Sequence, residues 1–159
     1  MEIRIDDLSS ERVRALLQLH LDTMAPTAPA ESQHALDLAG LQGPDVSFWC
    51  MWDADELAGF GALKALNALQ AEIKSMRTSN AYLRRGVAAA ILSRIIKTAK
   101  QRGYESLFLE TGSMDFFAPA RNFYQSFGFV ECNPFANYKL DPNSVFMSMS
   151  LDELRNFKA

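Results

Sequence analysis

Histidine and cysteine are scarce: His20, His34, Cys50 and Cys132 are the whole supply among 159 residues. A structural zinc site needs more Cys and His ligands at recognisable spacing, so no metal is expected. The cysteines lie far apart without CxxC spacing and should be reduced and packed, since free Cys behaves as a small hydrophobe. No apolar run approaches the ~18 residues of a membrane span, and the amino terminus, MEIRIDD, lacks a signal core. Neither a membrane partner nor a location other than the cytoplasm is therefore expected. Basic charge is not in excess either: 16 Lys and Arg against 19 Asp and Glu leave a formal charge of −3. A chain built to wrap nucleic acid carries an overall basic surface, so nucleic acid is not expected as a partner. Neither GxxxxGK[ST] nor GxGxxG occurs, which disfavours P-loop and dinucleotide sites. Repeats, low-complexity tracts and dividing linkers are also lacking, and 1–159 reads as a single domain with one sizeable core.

What is present is patterned for a mixed sheet. Met1–Ile5 alternates like a short strand. Ser9 or Ser10 can cap a helix with Val13, Leu16, Leu17 and Leu21 on one face, and the prolines between Met24 and Pro29 must end it. A short second helix is expected near Glu31–Leu38, ended by Gly40. Strands follow at Val46–Trp52, Leu57–Leu66 and Leu69–Thr78, and their short connections predict antiparallel pairing. Arg84–Arg102 reads as a long helix with Val87, Ile91, Leu92, Ile95, Ile96 and Ala99 on one face, stopped by Gly103. A strand at Ser106–Glu110, a helix at Pro119–Phe127 between Pro119 and Gly128, and strands at Phe129–Cys132 and Val145–Leu151 complete the chain. The order β-α-α-β-β-β-α-β-α-β-β contains a β-α-β crossover, which makes the strands on either side of the long helix parallel. The expected class is α/β (α+β), a mixed, mostly antiparallel sheet with helices on both faces; that double cover explains the almost continuously apolar Leu57–Leu66.

The most informative stretch runs from Glu72 to Ala90, EIKSMRTSNAYLRRGVAAA. A strand enters a loop, and the loop opens a helix through two arginines, a glycine and small residues. The first turn of a helix leaves amides unpaired and carries partial positive charge, so an anion there gains hydrogen bonds and roughly 0.3–1 kcal/mol per charge. Gly86 cannot obstruct a phosphate, Ala88 and Ala89 keep the approach close, and Arg84 and Arg85 add charge. The alternative is a packed helix whose amino end happens to be basic.

Tyr82-Leu-Arg-Arg-Gly-Val-Ala88 resembles the pyrophosphate loop of the GCN5-related N-acetyltransferase (GNAT) family, Gln/Arg-x-x-Gly-x-Gly/Ala. Gly86 and Ala88 match, and Leu83 stands where Gln or Arg is usual. Ala120-Arg-Asn-Phe-Tyr124-Gln-Ser-Phe-Gly128-Phe129 is similar to the family's A-x-x-x-Y-x-x-x-G-F pattern, with Phe117 where an Asn often contacts coenzyme A. ALKAL, EIKSMRTS, LETGS, PARNFY and DPNSVFM together resemble a bacterial, YsnE-like subgroup. The resemblance implies acetyl-CoA as co-substrate. It implies that backbone groups of Met76, Arg77 and Thr78 hold the acetyl and pantetheine portions where two parallel strands splay, and that Arg84, Arg85, Gly86, Val87, Ala88 and Ala89 hold the pyrophosphate.

Amine acetylation needs a neutral amine and a proton for the leaving thiolate. Tyr124 aligns with the family's acid, and its phenol (~10) is close enough to a thiol (~8.5) for useful transfer; the alternative is a core tyrosine beside Phe123 and Phe127. Glu72 is the first candidate base: in an apolar strand an unpaired carboxylate is costly and its pKa rises. It also resembles, by its spacing to Gly86, the base of histone-type members. The alternative is an ion pair with Lys64 or Lys74. Glu110 is the second candidate base, otherwise a contact to substrate ammonium or a partner of Arg77. Lys64 and Lys74 are candidate substrate contacts, and an unpaired Lys74 or Arg77 would suit an acceptor bearing a carboxylate. His20 and His34 read as ordinary helix residues beside a proline loop, Pro26–Pro29, that would lie over the acceptor as a lid. No histidine neighbours Cys132 in sequence, so direct attack is favoured over a covalent enzyme intermediate. The expected acceptor is a small-molecule primary amine, amino-acid-like as one option. An acyl-CoA-binding regulatory module, a protein-lysine acetyltransferase and a homodimeric assembly stay open.

Overall fold

The computed structural model describes residues 1–151, and the expected domain end at Ala159 lies outside the described residues. The strands are β1 (Glu2–Ile5), β2 (Val46–Asp53), β3 (Glu56–Ala65), β4 (Gln70–Thr78), β5 (Ser106–Gly112), β6 (Val130–Cys132) and β7 (Ser144–Ser150). The helices are α1 (Glu11–Met24), α2 (Leu38–Leu41), α3 (Val87–Gln101) and α4 (Ala118–Ser126). One seven-stranded sheet has the order β1-β2-β3-β4-β5-β7-β6. Only the β4–β5 pair is parallel among these described strands. The mixed, mostly antiparallel sheet and the element order agree with the sequence pattern.

Two local expectations are corrected. The second helix does not run over Glu31–Leu38. A 3-10 turn occupies Ala30–Ser32, and α2 begins only at Leu38, because Asp37 accepts the Gly40 amide at 2.9 Å and caps it there. Gly40 therefore lies inside the helical turn rather than ending it. The long helix starts at Val87, not Arg84. Arg84 (φ 62°) and Gly86 (φ 79°) both hold left-handed backbone, which no helical turn can include.

Helices cover both faces. Val87, Ile91, Leu92, Ile95 and Ala99 of α3 are buried against Ala71, Ile73, Leu107 and Leu109, with Phe123 of α4 and Phe127 just after it on the same cluster. On the opposite face, Val13 and Leu17 of α1 pack on Phe48, Cys50, Phe60 and Ala62. The α3 axis comes close because β3 carries glycines beneath it. A Cβ on Gly61 would stand 2.7 Å from Ile91 Cγ2 and 2.6 Å from Met76 Sδ.

Two irregularities create the site. Phe60 pairs with Arg77 and Ala62 with Lys74, so two steps along β3 oppose three along β4. The extra residue is a β-bulge, with Ser75 at φ 54°. Secondly, β4 and β5 pair only through Gln70↔Ser106, Ala71↔Leu107 and Glu72↔Phe108. Beyond Glu72 each strand stays tied to its outer neighbour, β4 to β3 and β5 to β7, and the two diverge.

Candidate active site

The divergence opens a cleft of about 490 Å³. Its walls are Lys74–Arg77 of β4 and Leu109–Gly112 of β5. Tyr124 of α4 borders it on one side; His20 of α1 and the Ala25–Ala28 segment border it on the other. The proline-containing segment thus sits at the mouth. Gln33 Nε2 holds it by donating to Ala28 O at 2.7 Å, and Ser32 Oγ donates to Asp141 Oδ2 at 2.5 Å across to the β6–β7 connection.

The register decides which charges share a face. Lys64 lies opposite Glu72, Ala62 opposite Lys74 and Phe60 opposite Arg77. Phe60 and Ala62 belong to the α1-side core, so Lys64, Glu72, Lys74 and Arg77 all project to that face. Glu110 joins them, two residues beyond Phe108, the partner of Glu72. Without the bulge Arg77 would have turned toward α3 instead.

Glu72 and Lys74 are buried, 2% and 8% exposed, and form an ion pair at 3.1 Å. Tyr138, a residue for which the sequence carried no periodic or motif signal, completes the group. Its hydroxyl donates to Glu72 Oε2 at 2.6 Å, while Lys74 Nζ donates to that hydroxyl at 2.6 Å and to His34 O at 3.1 Å. All three ammonium protons have acceptors, as a buried cation requires. Lys64 makes no ion pair with a described residue; it lines an adjoining open groove of about 820 Å³ with Asp45, Asn67 and Asp141, a groove that shares His34, Glu72 and Lys74 with the cleft.

Glu110 has a different setting. Burial raises its carboxyl above the usual 4.5; the Ser144 hydroxyl and then Lys74 pull it back, and Glu72 and Asp141 push it further. Arg77 is not among the charges that act on it, so the two do not form the structural pair considered above. Tyr124 packs on Phe129 at 5.8 Å between centroids, and burial raises its phenol pKa. Its hydroxyl has no hydrogen-bond partner among the described residues, leaving it free to serve the cleft. The Cys132 thiol is raised by burial, and no described histidine pairs with it. Cys50 and Cys132 are both free thiols; Cys50 is packed as expected, whereas Cys132 is partly exposed.

At the far end of β4 lies the α3 amino terminus. No side chain caps it, and the first intrahelical bond runs from Ala90 N to Gly86 O at 3.0 Å. The amides of Val87, Ala88 and Ala89 consequently have no intrahelical acceptor. A Cβ on Gly86 would meet nothing within 4 Å, so the approach is open. Arg84 and Arg85 are exposed beside it. The loop is anchored by Tyr82, whose hydroxyl donates to Glu56 Oε2 at 2.5 Å and stands 2.9 Å from Asp53 Oδ2. The Arg85 guanidinium lies over the same ring, 4.7 Å from its centroid. Phe117 packs its ring directly over Gly112 at the end of β5. Arg121 clamps the same corner, donating to Gly112 O at 2.7 Å and Met114 O at 2.9 Å.

A splayed parallel pair, a bulge and an open helix terminus have counterparts in known proteins. A model of the Acetyltransferase (GNAT) family matches residues 13–129. The uncharacterized N-acetyltransferase YsnE of Bacillus subtilis (strain 168) is 56% identical over 151 residues, 95% of this chain and 100% of that one. The uncharacterized N-acetyltransferase YedL of Escherichia coli (strain K12) is 46% identical over 151 residues, 95% of each chain. Among solved structures, aminoglycoside 6'-N-acetyltransferase complexed with coenzyme A aligns with a TM-score of 0.71 at 15% identity, over 95% of this chain and 97% of that one. That last likeness concerns the fold alone. On the family model and the two relatives together, this chain belongs to the GNAT acetyltransferase family, acyltransferases that draw an acetyl group from acetyl-CoA.

Proposed function

We propose that this protein acetylates the primary amine of a small molecule by direct attack of the amine on the thioester of acetyl-CoA. The observation that carries the reading is the cleft itself: a half-buried carboxyl with a raised pKa and an unpartnered phenol line one opening between diverging strands. Acetyl-CoA supplies the acetyl group as a thioester. The chain supplies backbone groups of Met76, Arg77 and Thr78 along the free edge of β4, and an anion seat at Arg84–Ala89. The residues present fit that role, since Gly86 leaves open space in front of uncapped amides.

Glu110 is the base that removes a proton from the entering ammonium, because burial raises its carboxyl toward the pKa range useful for that transfer. Glu72 is the less suitable of the two candidates. Its oxygen is committed to Lys74 and Tyr138, and proton uptake there would break a buried ion pair. Tyr124 gives its hydroxyl proton to the departing sulfur, and the second proton that the nitrogen loses as the amide forms restores the phenol. Neither thiol takes part.

The test is acetyl-CoA consumption over amino acids, polyamines, aminoglycosides and peptides, beside calorimetry with coenzyme A. Turnover of a small amine is expected, falling by roughly 10²–10⁴ in Glu110→Gln and Tyr124→Phe and unchanged in Cys132→Ala. Tight coenzyme A binding without turnover of any amine would leave a sensor rather than an enzyme of small amines, and turnover of peptides alone would make it a protein acetyltransferase.

A further inference from the structure

The Arg77 side chain has no hydrogen-bond or ion-pair partner among the described residues. The ion pairs among the described residues are Arg4–Glu2 and Lys74–Glu72, and no hydrogen bond ties the Arg77 guanidinium to a described residue. It is half-buried on the wall of the cleft. Unmatched, a guanidinium in such a place is an unbalanced charge with five donors and no acceptor.

A second group beside it is also unmatched. His20 of α1 is 6% exposed, lines the same cleft, and its Nδ1 has no hydrogen-bond partner. Burial, and then the Arg77 charge, press its pKa down to about 4, so the imidazole is neutral at pH 7. Its buried Nδ1 lacks an acceptor among the described residues, and a neutral ring can offer one N–H to an anion that reaches it without adding charge.

Arg77 is poorly placed to serve the diphosphate. Its side chain projects to the α1 face with Phe60, whereas the Gly86 amides belong to α3 on the other face. What the pair matches is an anion on the acceptor side. One uncompensated cation suits a monoanion, and a dianion would meet Glu110 and Glu72 without a second cation to balance it, Lys74 being spent.

We propose that Arg77 and His20 form a carboxylate subsite, and that the acceptor is a zwitterion whose carboxylate docks there while its ammonium faces Glu110. The inference rests on the acetyltransfer reading above and narrows its substrate class to amino-acid-like amines. Arg77 then acts twice, its backbone toward the thioester arm and its side chain toward the acceptor.

Matched pairs of amines test it, each an amino acid and the same molecule lacking its carboxylate. The carboxylate member should show a kcat/KM roughly ten- to hundredfold higher. In Arg77→Gln that preference should collapse through KM, and Arg77→Lys should recover part of it. If no pair is turned over, calorimetry of the same pairs on enzyme saturated with coenzyme A carries the test: carboxylate-dependent binding supports the subsite. Three results overturn it. One is the absence of any carboxylate preference in turnover or binding. Another is a preference that survives in Arg77→Gln. The third is an Arg77→Gln variant whose coenzyme A affinity falls as steeply as its acceptor affinity, which assigns the guanidinium to the co-substrate. Failure of the wild-type protein to bind coenzyme A at all would instead remove the acetyltransfer reading itself.

Discussion

At the scale of single residues, two glutamates on one face have opposite energetics. Glu72 balances a buried ammonium, and Glu110 is largely held out of water with no ion pair of its own among the described residues. Removing the Glu72 charge strands Lys74, so Glu72→Gln should destabilise by ~3–5 kcal/mol. For Glu110 the sign is reversed. Its folded pKa lies above the unfolded value near 4.5, so below 4.5 both states are protonated and nothing is lost. As pH rises from 4.5 through the folded value, the unfolded chain releases its proton first and stability falls. That penalty for burying the group weighs on the native state above this window, so Glu110→Gln should raise the melting temperature at pH 7 while it lowers turnover by roughly 10²–10⁴. Thermal melts of both variants at pH 7 check the pair; a stabilised Glu72→Gln or a destabilised Glu110→Gln would contradict this division of roles. Both residues drew notice in the sequence because charge inside apolar strands is unusual. Their roles separate only through Tyr138, which lies in an irregular loop and reaches Glu72 from 66 positions away.

At the scale of elements, the turn from β4 into α3 joins chemistry to backbone geometry. Gly86 sits at φ 79°, with empty space where a side chain would be. A Gly86→Ala change should thus cost only the left-handed backbone strain, about 1 kcal/mol. Its methyl group, however, would stand in the approach to the open amides. Coenzyme A affinity should consequently fall about tenfold or more with little change in melting temperature. Calorimetry and a thermal melt on one preparation measure both, and an affinity kept within about twofold would show that no anion uses this terminus. The helix, the glycine and the arginines were legible in the sequence, since periodicity and local backbone preference are local properties. The start of the helix was misjudged by three residues because a non-glycine left-handed residue, Arg84, carries no compositional warning.

At the scale of the whole molecule, the diverging β4 and β5 leave a free backbone edge along the cleft, and beside it the buried Ser75 Oγ and His20 Nδ1 have no hydrogen-bond partner among the described residues. Binding across that cleft should couple the β1–β4 half of the sheet to the β5–β7 half. Coenzyme A at about 100 times its Kd should add ~2.7 kcal/mol of stability, a rise of about 5–10 °C for a chain of this size. Differential scanning fluorimetry against coenzyme A concentration reads this directly, and no rise at saturation would mean that the cleft does not take it.

The amino-acid sequence by itself determined the order of elements, the single parallel crossover, the apolar face of α3 and the two motifs that resemble GNAT acetyltransferases. These depend on spacing within a dozen or so residues, where chain connectivity already constrains what can meet. Only the tertiary structure decided the insertion of β7 between β5 and β6, the bulge that turns Arg77 to the α1 face, and the pairing of Glu72 with Lys74 and Tyr138. It also decided that, among the described residues, the Arg77 guanidinium and His20 Nδ1 would lack hydrogen-bond partners on the wall of one cleft. Such outcomes depend on register and on contacts between distant segments, and a one-residue slip in pairing reverses which face a side chain takes.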